Sequence, residues 1–512
     1  MQRFGDVSRK DSVKRAFSVR FFIFKIQEGK FMYDVIVIGA GVVGAMIARK
    51  LSAYEMSVCI VEKENDVSMG ASKANSAIVH AGFDAKEGSL KARLNVKGSQ
   101  MMEKIASELG VKYRKNGSIV IAFNNEDRKT LDALLERGKK NGVEDLRIVE
   151  GEELKKLEKN ISDDVVCALY APSGAIICPY ELTLAAIGNA IDNGADLKLC
   201  FEVSEIETSD SGYKVVSKDG DVLLGRFVVN AAGIFSDKIA AMIGDNSFSI
   251  TPRRGEYILL DKKCGDLVEH TVFRTPSEAG KGILVTPTVD GNLLLGPTSV
   301  VISDKDDRST TDIGLDRVAR EAIENVKNID LSKRITSFCG LRAVGDTGDF
   351  IINSPKKGFV NVGAVESPGL SASPAIAIEV EDILRSQGLS APEKVNYDPK
   401  RRPMHFFRDA SVEKKNEIIK RDPAYGRIIC RCEGITEGEI REALRTEPKA
   451  RDLDGIKRRT RAQMGRCQGG FCGPQIIKII SEELGIAYGE VTKFGKGSTL
   501  VFGKTKEEIC DD

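Results

Sequence analysis

The chain has 512 residues, room for two or three domains, and its 42% hydrophobic and 29% charged content is that of an ordinary globular protein. Lysine plus arginine (76) nearly cancels aspartate plus glutamate (75), so no overall field recruits nucleic acid or an anionic membrane; only a local patch could do so. The longest apolar runs, such as Val35-Ile36-Val37-Ile38, have strand length, so any membrane contact is expected to be peripheral.

Residues 1–31 carry Arg3, Arg9, Lys10, Lys14, Arg15 and Arg20 ahead of Phe21-Phe22-Ile23-Phe24. A targeting or membrane-surface helix is one reading; Asp6 and Asp11 interrupt its basic face, and an extension outside the fold is the other. Tyr33 to Ile38 then reads as a buried strand, Gly39-Ala40-Gly41-Val42-Val43-Gly44 as a tight turn, and the segment to Leu51 as a helix. That order is the dinucleotide fingerprint. Gly39 permits the turn, Gly41 lets the backbone approach a pyrophosphate, and Gly44 allows close helix–strand packing. A second strand, Met56 to Val61, ends at Glu62, whose carboxylate can accept hydrogen bonds from a ribose.

Strands such as Ser118 to Phe123 and Ile283 to Pro287, mixed with helical stretches, are expected to build a substrate cap from about 95–160 and 250–335. Phe227 to Gly233 is a further buried strand ending in small residues, as where a distant segment returns beside the same nucleotide. The fingerprint serves FAD and NAD alike. No second glycine fingerprint follows another strand, so electrons are expected from a substrate bound directly over a flavin. Residues 391–424 turn to Pro, Lys, Arg and Asp with little apolar periodicity and read as a linker.

Near the C-terminus, Cys430-Arg431-Cys432 and Cys467 to Cys472 form a C-x-C and C-x4-C set. Four thiolates on short loops suit a [2Fe–2S] cluster; zinc, which more often uses C-x2–4-C pairs, is the alternative. Gly473-Pro474 opens a helix to Leu484 whose first amides would face a negative cluster. The other seven cysteines, Cys59, Cys167, Cys178, Cys200, Cys264, Cys339 and Cys510, are scattered singly, and no secretory signal is visible, which points to a reducing, cytoplasmic setting. Lys457, Arg458, Arg459, Arg461 and Arg466 make a basic stretch that reads as a solvated helix face, an offset to cluster charge or a dock for an acidic redox partner. Without interleaved aromatics, nucleic acid is discounted.

Residues 33 to about 380 resemble the flavoprotein dehydrogenases and oxidases of the D-amino-acid-oxidase and glycerol-3-phosphate-dehydrogenase superfamily. The marks are Asn75 to Phe83, Gly88 to Arg93, Arg254 to Tyr257, Leu293 to Pro297, Gly340 to Arg342 and Ser367 to Ser371. The segment around His80 is similar to L-2-hydroxyglutarate oxidases. The end of the chain, including Arg458 to Gly469, is similar to the ferredoxin-like domain closing the A subunit of anaerobic glycerol-3-phosphate dehydrogenase and to bacterioferritin-associated ferredoxin. The resemblance implies a mixed α/β and α+β chain: an extension (1–31), a Rossmann-like FAD-binding domain with an interleaved cap (32–390), the linker, a [2Fe–2S] domain (425–485) and a tail (486–512). It implies flavin contacts at Gly39, Gly41, Gly44, Glu62, Ser72, Asn75, Gly233, Gly369, Leu370 and Ser371, and cluster ligands at Cys430, Cys432, Cys467 and Cys472.

The expected substrate is a small anionic secondary alcohol. Domain combination favours glycerol 3-phosphate, and the His80 segment favours a 2-hydroxy acid such as L-2-hydroxyglutarate. Oxidation needs a base for the hydroxyl proton, and His80 is the one histidine of three that the resemblance places at the flavin. His270 and His405 are expected to be structural or exposed. Arginine's planar fork suits carboxylate or phosphate, so Arg342 is the first anchor, with Arg254 and Arg274 as further candidates and Tyr257 as a hydrogen-bond donor. A two-electron flavin beside a one-electron cluster implies a protein or quinone acceptor. The resembled enzyme adds companion redox subunits and peripheral attachment at the inner face of the membrane. A cluster domain serving mainly for docking or iron sensing is the reading from another class.

Overall fold

The computed structural model describes residues 26–27, 30–276 and 282–503. Residues 1–32 form a unit of their own, described only at the short pairing of Ile26 and Gln27 with Phe31 and Lys30; the rest of the expected extension lies outside the described residues, as does Cys510. Everything from Tyr33 on is one compact unit.

Two large sheets organise that unit. The first runs in the order 196–198, 58–61, 30–38, 222–230, 212–217, 203–209, and strand 359–363 pairs in parallel with the end of 222–230. Both faces are covered, as β-branched runs on a central strand require. Val35 and Val37 point into a core shared with helices 42–51, 90–109, 179–192 and 369–386, while Ile36 and Ile38 meet Phe201, Val215 and Ile239 on the other face.

The second sheet runs 300–301, 250–260, 293–296, 284–287, 271–274, 118–122, 167–171, 147–150, and strand 334–345 lies antiparallel along nearly all of 250–260. This is the cap, and it differs from the sequence expectation at both margins. Helix Leu90–Leu109 belongs to the first core, because Gly98 lets it lie against the Ser371 carbonyl of helix 369–386, which a Cβ would overlap. Strand Arg334–Gly345 extends the cap beyond residue 335.

Residues 391–424, expected as a linker, are strapped to the first domain. Lys394 Nζ donates to the carbonyls of Ser52 and Asn193, Arg401 pairs with Asp192, and buried His405 Nε2 lies 2.6 Å from Glu181. Phe407 is buried as well, and residues 412–421 form a helix. The polar composition thus serves contacts to backbone and carboxylates that hydrophobic periodicity cannot report.

The C-terminal module pairs strands Ile428–Cys430 and Ile435–Thr436 and packs helices 437–445, 453–460 and 473–484 around Ile435, Ile440, Ile456, Ile476 and Ile480. Its docking overturns the reading of the basic stretch as a solvated face or patch. Arg458 and Arg459 are buried and converge on buried Asp66, at 2.5 Å (Arg458 Nη2 to Oδ2), 2.8 Å (Arg459 Nη1 to Oδ2) and 2.7 Å (Arg459 Nη2 to Oδ1). Buried Arg461 donates to Asp290 at 2.7 Å and to Glu433 at 3.1 Å. Only Arg466 of the five is exposed, and it pairs with Asp261.

Burial pushes the Asp66 carboxyl up, but Arg459 and then Arg458 outweigh it and hold the group well below the usual carboxylate range. The native pKa lies below the unfolded value of about 3.9, so this pairing stabilises the fold above pH ~4 and the contribution is lost as pH falls towards the native pKa. Asp66→Asn, which strands two buried guanidinium groups, is expected to cost about 3–5 kcal/mol. Thermal or urea unfolding at pH 7 measures this, and the difference from the parent protein should shrink below pH 4.

Candidate functional site

A cavity of about 870 Å³ opens between the first sheet and the cap, within the size range of cofactor and small-molecule sites. The fingerprint turn forms part of its wall. Gly39 adopts φ +103°, and a Cβ on Gly44 would overlap the Gly39 carbonyl, so the helix at Val42 can begin tight against the strand. Ser72 Oγ accepts from the Val42 amide at 2.8 Å, and Glu62 Oε2 from the Ala40 amide at 2.8 Å. Gly233, at φ +57°, faces open space. Asn75 Oδ1 accepts from the Ala77 amide and its Nδ2 donates to the Ala71 and Ser72 carbonyls, shaping the loop that carries Ser72.

Gly39, Gly41, Glu62, Ser72, Asn75, Gly233, Gly369 and Leu370 therefore line one cavity although the sequence scatters them over more than three hundred residues. Gly44 and Ser371 do not line it. Gly44 lies beneath the turn, and Ser371 Oγ accepts from the His80 amide at 2.8 Å, holding His80 in place from behind. Lys73 also lines the cavity; burial, then Arg458 and Arg308, push its ammonium down to about 8, which still leaves it mostly charged at neutral pH.

His80, Tyr257 and Arg342 meet on the same cavity. His80 Nε2 stands 3.3 Å from Ser367 Oγ and its ring 5.9 Å from Phe273, while its carbonyl and the Gly82 amide bracket the buried Asn95 side chain. Tyr257 stacks on Phe338 at 4.8 Å and its hydroxyl contacts Ser76 Oγ at 3.1 Å. Burial pushes the Tyr257 phenol up, against a smaller opposing effect of Arg342, so it remains a donor. Arg342 Nη2 donates to the Thr298 carbonyl at 2.6 Å.

Arg254 is not part of the cavity. It points to the opposite face of strand Ile250–Leu260, where it is buried and paired with Asp307. Its neighbour Arg253 lines the cavity instead, directly across the ladder from Arg342. The signal for this was in the sequence: side chains alternate along a strand, and Arg253, not Arg254, shares the parity of Tyr257. Arg274 lines the cavity too, but pairs with Glu324 and lies over the Phe123 ring. His270 and His405 are both buried and structural, paired with Glu158 and Glu181.

In the C-terminal module, Cys432 Sγ lies 3.8 Å from Cys467 Sγ, and Cys430 is hydrogen-bonded to Cys472. Cys430 is drawn down first by that bond, then by the Gln463 and Glu433 amides, while the same bond pushes Cys472 up; Cys467 is drawn down by the Phe471 amide and further by Gly469, while burial pushes Cys432 up. Positive φ at Arg461, Gln463, Gln468 and Gly469 turns these amides inward. Such donors suit a cluster held by thiolates, whose net charge is negative. All ten described cysteines are free of disulfides.

Residues 34–383 match the family model described as FAD dependent oxidoreductase. The chain belongs to that family. Residues 428–482 match the BFD-like [2Fe-2S] binding domain, so FAD and a [2Fe–2S] cluster are its cofactors, and the glycine cradle and the amide-lined thiolates fit them. A glycerol 3-phosphate dehydrogenase of Caloramator mitchellensis is 47% identical over 480 residues, covering 93% of this chain and 100% of the relative. A reduced, FAD-bound L-alpha-glycerophosphate oxidase structure from Mycoplasma pneumoniae superposes with a TM-score of 0.69 at 30% identity, covering 73% of this chain and 99% of that one. A mitochondrial L-2-hydroxyglutarate dehydrogenase of Homo sapiens is 28% identical over 340 residues, 62% of this chain and 73% of the relative. Among the described residues no helix is long and apolar enough to cross a membrane.

Gly44→Ala would drive a methyl group into the Gly39 carbonyl and shift the helix start away from the turn. The purified variant is expected to lose its flavin absorbance while keeping its iron and acid-labile sulfide. Cys432→Ser should do the reverse.

Proposed function

We propose that this oxidoreductase converts sn-glycerol 3-phosphate to dihydroxyacetone phosphate and sends the electrons through its cluster to a one-electron acceptor, a protein or a quinone. The observation that carries the reading is the 47% identity to a glycerol 3-phosphate dehydrogenase across 93% of this chain, a span long enough to take in both modules. The cavity supports it. Arg253 and Arg342 stand opposite each other on neighbouring strands, a two-cation anchor suited to a phosphate dianion.

When bound, FAD supplies the acceptor for the hydride leaving the carbinol carbon, and the cluster divides the electron pair into single transfers. The chain's own residues do the rest. Arg253 and Arg342 hold the phosphate, and the Tyr257 hydroxyl donates to a substrate oxygen. His80 takes the hydroxyl proton at Nε2, the atom that otherwise contacts Ser367 Oγ. Ser371, behind the His80 amide, and Asn95, against the His80 carbonyl, keep that segment from shifting.

Mixed anaerobically with glycerol 3-phosphate in a stopped-flow instrument, the protein should bleach its flavin and then its cluster, and faster than with L-2-hydroxyglutarate. Faster bleaching by L-2-hydroxyglutarate would assign the site to 2-hydroxy acids instead. Arg253→Met and Arg342→Met should each raise KM about tenfold or more, the loss of a charge-assisted hydrogen bond. His80→Gln should lower kcat by about 10²-fold or more with a smaller change in KM.

A further inference from the structure

The four thiolates are unequally exposed. Cys430 and Cys472 are buried, Cys467 is half-buried and Cys432 is exposed, so one edge of the ligand set reaches the surface. Beside that edge the Phe471 side chain is 85% exposed, although its amide is turned in towards Cys467, and Ile428 is 60% exposed. An aromatic ring left in water next to a redox centre resembles the anchor of an interface more than a core residue.

Among the described residues, the basic ones left without a carboxylate partner at this edge are Arg431 and Lys263. Arg431 sits between two ligands and is exposed. Exposed Lys263 follows Asp261 and Lys262 on the cap loop that is bonded to the module, Lys262 to Glu433 at 2.9 Å and Arg466 to Asp261 at 3.2 Å. The carboxylates at this rim are thereby engaged: Asp261 by Arg466, and Glu433 by Lys262 and by Arg461. Asp330, beyond Cys264, is paired with Lys333 at 3.3 Å. Arg431 and Lys263 make no side-chain ion pair among the described residues.

We propose that the face formed by Cys432, Arg431, Lys263 and Phe471 is the docking surface for a small acidic electron-carrier protein. The inference rests on the proposed outward transfer through the cluster and specifies its acceptor. Two unpaired cations around an exposed ring match a carboxylate-rimmed protein patch. With Lys262 and Arg466 already neutralised by Glu433 and Asp261, these two fall short of the four to eight basic residues by which a segment holds an anionic membrane. A neutral quinone has no use for cations at all. Electrostatic complementarity of this kind speeds encounter and fixes orientation, and it weakens as salt rises.

The binding test uses zinc-substituted rubredoxin, a small acidic protein that carries no electron, titrated calorimetrically into the full-length holoprotein. Binding is expected at low salt, weakening about tenfold in Lys263→Glu and in Arg431→Glu. Phe471→Ser should weaken it without altering its salt dependence. Absence of binding, binding indifferent to salt and to both reversals, equal binding of basic cytochrome c, or attachment of the protein to phosphatidylglycerol vesicles would each overturn the proposal. Electron transfer to native rubredoxin is then followed from protein reduced with stoichiometric dithionite, where Lys263→Glu should slow the transfer but not the reduction of a water-soluble neutral quinone. Because dithionite loads the cluster without substrate, failure here refutes the docking surface alone, while failure of glycerol 3-phosphate to bleach the flavin refutes the proposed reaction alone. Iron and sulfide content with the cluster's electron paramagnetic resonance signal identify any variant that has lost the cluster.

Discussion

The buried meeting of Asp66 with Arg458 and Arg459 is the constraint on which the arrangement of the two modules depends. Taking a guanidinium group out of water costs several kcal/mol unless a carboxylate receives it with good geometry. Three guanidinium groups are buried on one short segment of the C-terminal module, and each finds its carboxylate: Asp66 for two of them, Asp290 and Glu433 for Arg461. A rotated or shifted module would leave at least one charge buried and unmatched. The pairing therefore selects one orientation sharply, even where its net contribution to stability is modest.

Asp66 also ties that orientation to the nucleotide site. It lies on the loop between Glu62, which accepts from the Ala40 amide, and Ser72, which accepts from the Val42 amide. Along the same loop the Ser68 amide donates to the Ala40 carbonyl, and the Asn65 side chain reaches Asp452 of the module. One stretch of about ten residues thus touches the glycine turn of the cavity with its ends and the C-terminal module with its middle.

Much of this was legible in the sequence, for identifiable reasons. The glycine fingerprint and the cysteine spacing survive because each encodes a backbone geometry that few residues satisfy, and both matched modules lie where those motifs lie. His80, Tyr257 and Arg342 reached one cavity because the resemblance placed their segments there. What failed depended on direction or long-range pairing. Arg254, a further anchor candidate, lies off the cavity, and strand parity gives the place beside Arg342 to Arg253. The basic stretch looked solvated because nothing local announces a carboxylate nearly four hundred residues earlier. Residues 391–424 looked loose because their contacts run through Lys394, Arg401 and His405 to backbone and carboxylate partners, which leave no hydrophobic period. The expected cap takes in residues 95–109, although a single glycine, Gly98, lets helix Leu90–Leu109 settle against helix Gly369–Ser386.

The strap across residues 391–410 bears on how the proposed relay would work. Many redox proteins carry a mobile centre on a long tether, collecting charge at one station and swinging to deliver it at another. Here the chain between the domains is itself pinned by Lys394, Arg401 and His405, so it offers no slack for such a swing. Under the proposed outward transfer, delivery would be brought to the protein: the carrier would travel, and the enzyme would stand still as a fixed terminal.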